Sequence, residues 1–284
     1  MSSLVTYGRD SHGQLGHGRK QLAELATPTA VSSLAGGSLT GVACGHFHSA
    51  AVVSAEVHTW GRGALGILGH GDEEDCLRPR PLKALAGLAI RTVSCGAYQT
   101  AAVTESGALF TWGWRLDQTK DGMGVEGYAT LPDQVHALDG HEVRQVACGH
   151  YCTAAVTTDG SLYSWGKGEH GQLGHGHYAN VVEPERVSSG ALSSGAFVWD
   201  ARFGKHFLLV LTADGDLCGC GVTDGGVIGG KRRMGPPVDP SLRTIGAPQV
   251  RRKTLKRVDD AESHTCTFGF GCRSLLATVP TVCC

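Results

Sequence analysis

The sequence repeats a glycine- and histidine-rich motif whose residues suit several kinds of chemistry. The stretch HGQLGHG occurs at His12–Gly18 and again, letter for letter, at His170–Gly176. Glycine-rich loops cradle phosphates with their backbone N–H groups, and histidine rings ligate metals or transfer protons. Dense glycine also forms tight turns, because glycine adopts positive φ without steric cost. The motif alone therefore leaves a phosphate site, a metal site and a repeated turn open.

Eleven cysteines supply a second candidate chemistry. The closely spaced pairs are Cys148 with Cys152, Cys218 with Cys220, and Cys283 with Cys284. Two thiols alone do not complete the four-ligand shell of zinc. The odd number and the lack of a secretory signal pattern at the N-terminus favour reduced thiols over a disulfide framework. Small buried hydrophobic side chains are the preferred interpretation of Cys44, Cys95 and Cys148.

Composition limits the class of protein. The chain has 284 residues, a formal charge of −1 and 42 glycines, about twice the usual share. Many glycines without a collagen period indicate many tight turns and many short strands. No apolar stretch is long enough to span a membrane, so we expect an intracellular protein of the cytoplasm, the nucleus or both.

A repeat of about 53 residues accounts for most of these features. Segments that end in aromatic–Gly, or in Cys–Gly in the last copy, place glycines at positions 8, 61, 113, 166 and 221. A second landmark, VACGHFHSAAV in its first copy, places glycines at positions 45, 96, 149 and 204. Two independent markers with one period make the repeat a strong signal.

Each repeat unit is β throughout. Short runs such as HSAAVV are followed by Ser106–Gly107, Asp159–Gly160 or Asp214–Gly215, which we interpret as two-residue hairpin turns. The strand with Trp60, Trp112 or Trp165 comes next, and the tryptophans should fill the blade cores. VVSAEVHTW has lost one residue and its glycine, so its turn should differ in type.

The pattern predicts an all-β protein, a β-propeller of about five four-stranded blades over residues 1–230. A parallel βαβ fold is disfavoured, because no amphipathic run of helical length recurs. Residues 231–284 are expected to be a degenerate basic region, either a partial last blade or a disordered tail. A smaller ring, an incomplete ring and a truncated chain all remain open.

Two motifs together carry a resemblance to a known family. WGKGEHGQLGHG at Trp165–Gly176, combined with V-A-C-G-x-x-H-[ST]-A-A-V, resembles the repeat of the regulator of chromosome condensation family. The resemblance covers residues 4–230. It implies a propeller of the seven-bladed type, closed by strands from both chain ends, although this sequence holds only about five periods.

The repeat also reinterprets the candidate sites. G-x-G-x-x-G occurs at Gly61–Gly66 and Gly166–Gly171, but it recurs at the repeat period outside any βαβ unit, which favours a blade turn over a nucleotide site. Residues related by the repeat lie one per blade, so the loop histidines should not converge on a metal; we expect their rings to bond to backbone within the turns. These histidines are His12, His17, His70, His170 and His175. We expect no catalytic residue, no metal and no cofactor.

The same family resemblance raises photoreception as a function. Plant ultraviolet-B photoreceptors share this fold and sense light through tryptophans in G-W-R-H-T at the second landmark. The corresponding stretches here are GHFHS, GAYQT and GHYCT. The tryptophan and the arginine are missing, so photoreception is not expected.

Charge is strongly asymmetric along the chain. Residues 231–257 carry nine basic residues and one acidic residue, whereas residues 1–230 carry 15 basic and 22 acidic residues. The basic segment resembles a bipartite nuclear import signal, and a solvated, partly disordered insertion is the alternative. The candidate partner-binding residues are Lys231, Arg232, Arg233, Arg251, Arg252, Lys253, Lys256 and Arg257.

These observations favour a non-enzymatic scaffold for protein interactions, because the blade accounts for every regular motif. The resemblance implies an alternative, guanine-nucleotide exchange on a Ran-type small GTPase. A third hypothesis is association with chromatin or nucleic acid through residues 231–257.

Overall fold

The structure is a computed structural model. It describes residues 2–117 and 124–223 and the short strands at 226–227, 243–244, 266–267 and 274–280. All regular elements in these ranges are β-strands or single turns of 3-10 helix, and the strands form five sheets, one per blade. No helix in the described part of the chain is long and apolar enough to cross a membrane.

The blades follow one another along the chain. The first contains β1 (Ser2–Asp10) and β2 (Gln21–Ala30); the second contains β3 (Leu39–Cys44), β4 (His48–Val53), β5 (Glu56–Gly61) and β6 (Cys76–Pro81). The third contains β7 (Ile90–Cys95), β8 (Gln99–Thr104), β9 (Leu109–Asp117) and β10 (Val125–Gln134). The fourth contains β11 (Val143–Cys148), β12 (Cys152–Thr157), β13 (Leu162–Gly166) and β14 (Val181–Arg186).

The fifth blade contains β15 (Val198–Phe203), β16 (Phe207–Thr212), β17 (Leu217–Thr223), β18 (Gly226–Val227) and β19 (Arg243–Thr244). The last two strands are β20 (Cys266–Thr267) and β21 (Ser274–Pro280). The 3-10 turns are Ser32–Leu34, Ala64–Gly66, Lys83–Leu85, His136–Leu138 and Gly190–Leu192. All strand pairs within the blades are antiparallel.

Both ends of the chain build the first blade. β21 lies antiparallel to β1, with Leu4 opposite Thr278 and Gly8 opposite Ser274, and the sheet order is β2-β1-β21-β20. The sequence pattern gave no register for the stretch that forms β21. The fold class is confirmed: a β-propeller of five blades, in a ring that the described strands leave open. The domain boundary at residue 230 stays a prediction.

The hairpin turns differ from the expectation. Ser54 and Ala55 form a true two-residue turn, with φ of 51° and 66° at residues that rarely adopt this region. In the third blade, four residues separate β8 from β9 and only Gly107 has positive φ, so the predicted two-residue turn is wrong there. The longer loop needs a single left-handed position, which glycine fills. The change of turn type at VVSAEVHTW is confirmed.

Small residues bring the inner strands of neighbouring blades together. The backbone N–H of His46 donates to Gly96 O at 3.2 Å, and that of Ala97 donates to Gly149 O at 3.1 Å. Each bond joins one blade to the next at the second landmark of the repeat. The glycine of that landmark therefore permits the close approach of backbones around the central axis.

Candidate interaction surface

The HGQLGHG loops and their counterpart at residues 65–71 link neighbouring blades through a backbone carbonyl. In its first copy, Gln14 O accepts hydrogen bonds from Ser49 Oγ and from Trp60 Nε1 of the second blade, both at 2.9 Å. Trp60 is fully buried, as predicted for a tryptophan that fills a blade core. The bond to the preceding blade adds a role that the sequence did not reveal.

The same arrangement recurs farther along the chain. Ile67 O accepts from Thr100 Oγ1 at 2.7 Å and from Trp112 Nε1 at 2.9 Å. In the fifth blade a cysteine stands at the tryptophan position, and Cys220 Sγ donates to Gln172 O at 3.4 Å. The loop is therefore a blade-to-blade connector rather than a phosphate cradle.

The second histidine of each loop bonds to a strand hydroxyl. Thr59 Oγ1 donates to Leu68 O at 2.7 Å, so the ring of His70 must donate from Nε2 to the same hydroxyl oxygen, 3.1 Å away. Burial lowers the pKa of His70 to about 4, which keeps the ring neutral. The equivalent contacts are Thr6 with His17 and Ser164 with His175. Nε2 of His17 and of His70 bonds to a side chain, whereas Nε2 of His175 also lies 3.1 Å from the backbone oxygen of Ser164, the kind of contact that the sequence analysis expected.

The G-x-G-x-x-G stretches form turns at the ends of strands. Gly63 N donates to Asp75 Oδ1 at 2.9 Å, and Gly168 N donates to Asn180 Oδ1 at 3.0 Å. A single 3-10 turn, Ala64–Gly66, follows the first of them. The phosphate-binding version of the motif needs an α-helix at this place, so the stretches lack the required context.

Most cysteines in the described part of the chain behave as buried hydrophobic side chains. Burial raises the pKa of Cys148 and of Cys220 to about 12 and also raises the pKa of Cys152. Thiols held in this state are poor nucleophiles and poor metal ligands. Within the described residues no group of histidines, cysteines and carboxylates is arranged to hold a metal ion.

His48, at the second landmark, is the most fully enclosed of the titratable groups in this region. Its Nε2 lies 2.8 Å from Thr100 Oγ1, whose proton is already donated to Ile67 O, so Nε2 carries the hydrogen. Nδ1 is buried without a hydrogen-bond partner. Burial, with a smaller contribution from His46, lowers the pKa of His48 to about 3. Protonation would place an unpaired charge in the blade interior.

We therefore expect acid to destabilise the protein partly through His48. Its folded pKa lies below the unfolded value, so from about pH 6.5 downward only the unfolded chain takes up the proton. The free energy of unfolding then falls by up to about 1.4 kcal/mol per pH unit for this group. In His48→Gln that contribution should disappear, which urea unfolding between pH 7 and pH 5 would measure.

Glutamine is the matched replacement because the next blade already uses it. Gln99 occupies the equivalent position and donates from Nε2 to Thr153 Oγ1 at 2.9 Å. His70 and His150 remain in both proteins and cancel in the comparison. Equal pH slopes for the wild type and His48→Gln would contradict the assignment.

A central cavity lies between the inner strands of four blades. Its volume is about 680 Å³, and its walls are β3, β7, β11 and β15 with the residues that follow them. His46, His150 and Lys205 lie at one end of these strands, directly after the landmark glycines. We call this end of the cavity, with its flanking side chains, the channel mouth.

An aromatic and cationic group borders the mouth at the second blade. The rings of His46 and Phe47 stack at a centroid distance of 4.1 Å, and His12 lies 5.0 Å from Phe47. The guanidinium of Arg62 lies 5.3 Å from the Phe47 ring centroid, within cation–π range. Burial, together with Lys205 and Arg62, lowers the pKa of His46.

A second group continues around the mouth at the third and fourth blades. The rings of Tyr98 and Tyr151 stack at 5.1 Å, and Trp114 meets Tyr151 edge-on at 5.0 Å. Lys167 Nζ lies 4.7 Å from the Tyr151 ring and forms an ion pair of 2.5 Å with Glu126. Arg62, Trp114 and Lys167 each follow the aromatic–Gly landmark, so the repeat places three different side chains at one position.

Histidines complete the mouth at the fifth blade. The ring of His150 lies 4.4 Å from that of Tyr151 and 5.8 Å from that of His206, which in turn lies 4.3 Å from His170. Burial, with neighbouring positive groups including His206 and Lys205, lowers the pKa of His150 to about 4.

The sequence analysis missed this surface. Its candidate partner-binding residues within 231–257 lie outside the described residues, so their assignment stays a prediction. The signal that could have found the mouth is the variable pair inside the second landmark. That pair reads His46–Phe47, then Ala–Tyr, His150–Tyr151 and Lys205–His206 in successive blades.

The chain matches one repeat family along much of its length. The family model described as "Regulator of chromosome condensation (RCC1) repeat" matches residues 3–52, 54–103 and 159–211, and a second model of that description matches residues 143–172. The Arabidopsis thaliana "Ultraviolet-B receptor UVR8" is 36% identical over 227 residues, which cover 80% of this chain and 50% of the receptor. Human "E3 ubiquitin-protein ligase HERC2" is 32% identical over 269 residues, 92% of this chain and 5% of the ligase.

Solved structures show the same fold at low sequence identity. Human WBSCR16 superposes with a TM-score of 0.70 at 21% identity, over 85% of this chain and 66% of that one. Prp20p from Saccharomyces cerevisiae, a protein described with its binding properties to Gsp1p and histones, gives 0.71 at 18% identity, over 88% of this chain and 60% of that one. The chain spans about half the length of the ultraviolet-B receptor and a small part of the ligase.

Proposed function

This chain belongs to the regulator of chromosome condensation (RCC1) repeat family, and from that premise we propose that it is a non-enzymatic scaffold that binds a partner protein at the channel mouth. One observation carries the proposal. Side chains that recur between repeats, such as Trp60 and Trp112, join neighbouring blades, whereas those that differ between repeats gather at the mouth. A rigid frame that displays variable side chains on one face suits recognition.

Enzymatic chemistry has less support in the described residues. The Cys148 thiol has a raised pKa. In the loops, Nε2 of His70 and of His175 is already bonded to a strand hydroxyl. Several relatives are named as ligases, but the chain covers only 5% to 20% of their lengths. The ultraviolet-B receptor is named for light sensing, yet the four landmark positions here are His46, Ala97, His150 and Lys205.

The experiment is capture followed by reconstitution. The tagged chain should retain one protein reproducibly from extract, and the purified partner should bind the purified chain with 1:1 stoichiometry. If the partner binds the double variant Arg62→Glu with Lys205→Glu as tightly as it binds the wild type, recognition takes place elsewhere on the chain. Turnover of a substrate by the chain without any retained partner would overturn the scaffold function.

Nucleotide exchange on a Ran-type GTPase is the second candidate, favoured by the shared fold of Prp20p, which is described as binding Gsp1p. An exchange factor acts by binding the nucleotide-free GTPase more tightly than the loaded one. Release of a fluorescent GDP analogue, with and without micromolar chain, tests this candidate directly. Unchanged release would remove it.

For the basic segment, residues 231–257, we propose association with chromatin. The chain would then act in the nucleus, the cytoplasm or both. Deleting that segment should lower nuclear accumulation and reduce salt-sensitive binding to nucleic acid. Unchanged distribution after the deletion would contradict it.

A further inference from the structure

We propose that the channel mouth binds an acidic peptide segment of the partner, with its carboxylates directed at Arg62 and Lys205. The inference rests on the proposed scaffold function and names the chemistry of the ligand. Three cationic side chains from three blades lie around the mouth. Lys205 lines the cavity, Arg62 borders it over the Phe47 ring, and Lys167 borders it over the Tyr151 ring. Of the three, Lys167 is paired with a carboxylate, that of Glu126.

Arg62 and Lys205 form no ion pair within the described residues. The ion pairs of the described residues join other arginines and lysines to carboxylates, and none of these pairs includes Arg62 or Lys205. Arg62 instead lies over the Phe47 ring, which holds the guanidinium in place without neutralising it. A positioned and uncompensated cation at the rim of a cavity is suited to a partner carboxylate.

The walls of the mouth also offer apolar contacts to a peptide. Phe47, Tyr98 and Tyr151 are each partly exposed, so part of each ring is accessible to aliphatic or aromatic side chains. These features fit a short segment inserted end-on rather than a flat protein face.

A peptide is favoured over nucleic acid by the charge of the surrounding body. Residues 1–230 carry 22 acidic against 15 basic residues, so a long polyphosphate that extends beyond the mouth would meet net repulsion. Tight binding of nucleic acid needs many neutralised phosphates along a track. Here the cations are few and lie around one opening, which suits a few carboxylates on a short chain.

The test measures fluorescence anisotropy of a labelled peptide of about twelve residues, half Asp or Glu and the rest Gly, Ser and Tyr. We expect a Kd of about 10 µM, weakened by added salt, and little binding of the same peptide with Asn and Gln in place of the acids. The double variant Arg62→Glu with Lys205→Glu should bind at least tenfold more weakly. Lys83→Glu with Arg186→Glu is the matched control: it makes the same charge change on exposed outer residues and should bind within twofold of the wild type.

The outcomes separate this inference from the proposed function. Equal loss in both double variants, or equal binding of the neutral peptide, would overturn the acidic-peptide site. Tighter binding of a labelled oligothymidine, lost in the Arg62 and Lys205 variant, would assign the mouth to nucleic acid instead. A partner protein retained equally by wild type and that variant would refute the inference and place recognition away from the mouth, while a scaffold function elsewhere on the chain would still stand. Unchanged thermal unfolding of both variants checks that the propeller is intact.

Discussion

Gly96→Ala should lower the free energy of unfolding by about 3 kcal/mol, although the substitution adds only one methyl group. The added Cβ would stand 2.3 Å from the backbone oxygen of Gly149 and 3.1 Å from Cys148 Cβ. A backbone oxygen cannot rotate away as a side chain can, so the third and fourth blades must separate. That separation also weakens the bond from Ala97 N to the same oxygen.

Gly41→Ala is the matched control for this prediction. Gly41 lies in the inner strand β3, and like Gly96 it does not have a positive φ. Its added Cβ would be 3.5 Å from Val52 Cγ2, an ordinary van der Waals contact. Its effect should stay within about 0.5 kcal/mol. Urea unfolding followed by circular dichroism compares the two. Similar losses in both variants would show that the intolerance comes from strand glycines in general and not from the contact between blades.

Trp112→Ala should cost about 3 to 5 kcal/mol, the range for removing a large aromatic side chain from a core. Trp112 is 2% exposed and packs in the cluster between the second and third blades. The substitution also leaves Ile67 O with one of its two donors, since Thr100 Oγ1 remains. Loss of stability is therefore expected at the junction of two blades and not within one blade alone.

Trp165 gives the comparison at the same repeat position. It is half-buried, whereas Trp112 is 2% exposed. Trp165→Ala should cost about half as much as Trp112→Ala, because less surface leaves water on folding. Equal costs would contradict this prediction, since they would show that the buried area of the ring does not set its contribution to stability.

Gly96→Ala and Trp112→Ala test different parts of the contact between neighbouring blades. Gly96 acts near the axis, where backbones touch, and Trp112 acts farther out, where a ring reaches a loop carbonyl. In a repeat protein such contacts between neighbours set how cooperatively the units unfold. The urea transition should therefore broaden as well as shift in both variants.

The sequence by itself determined the architecture of residues 1–230. Period, strand pattern and fold class could be predicted because a blade is a local unit, in which successive strands pair through short turns and every copy obeys the same alternation of side chains. The repeat also settled the meaning of HGQLGHG, since symmetry-related histidines cannot meet at one metal. The detail of the turns at Ser54–Ala55 and Gly107 depended on φ values that residue type only partly constrains.

Only the tertiary structure decided how the C-terminal strand pairs and which side chains of different blades come together. The pairing of β21 with β1 joins the two ends of the chain through backbone bonds, which any strand of suitable length can form and which therefore leave little signature in side chains. The channel mouth likewise depends on Arg62, Tyr151 and Lys205 from three blades, which lie far apart in sequence and follow no common pattern. Residue types that vary between repeats carry no periodic signal, and it is the closure of neighbouring blades around one axis that turns them into a surface.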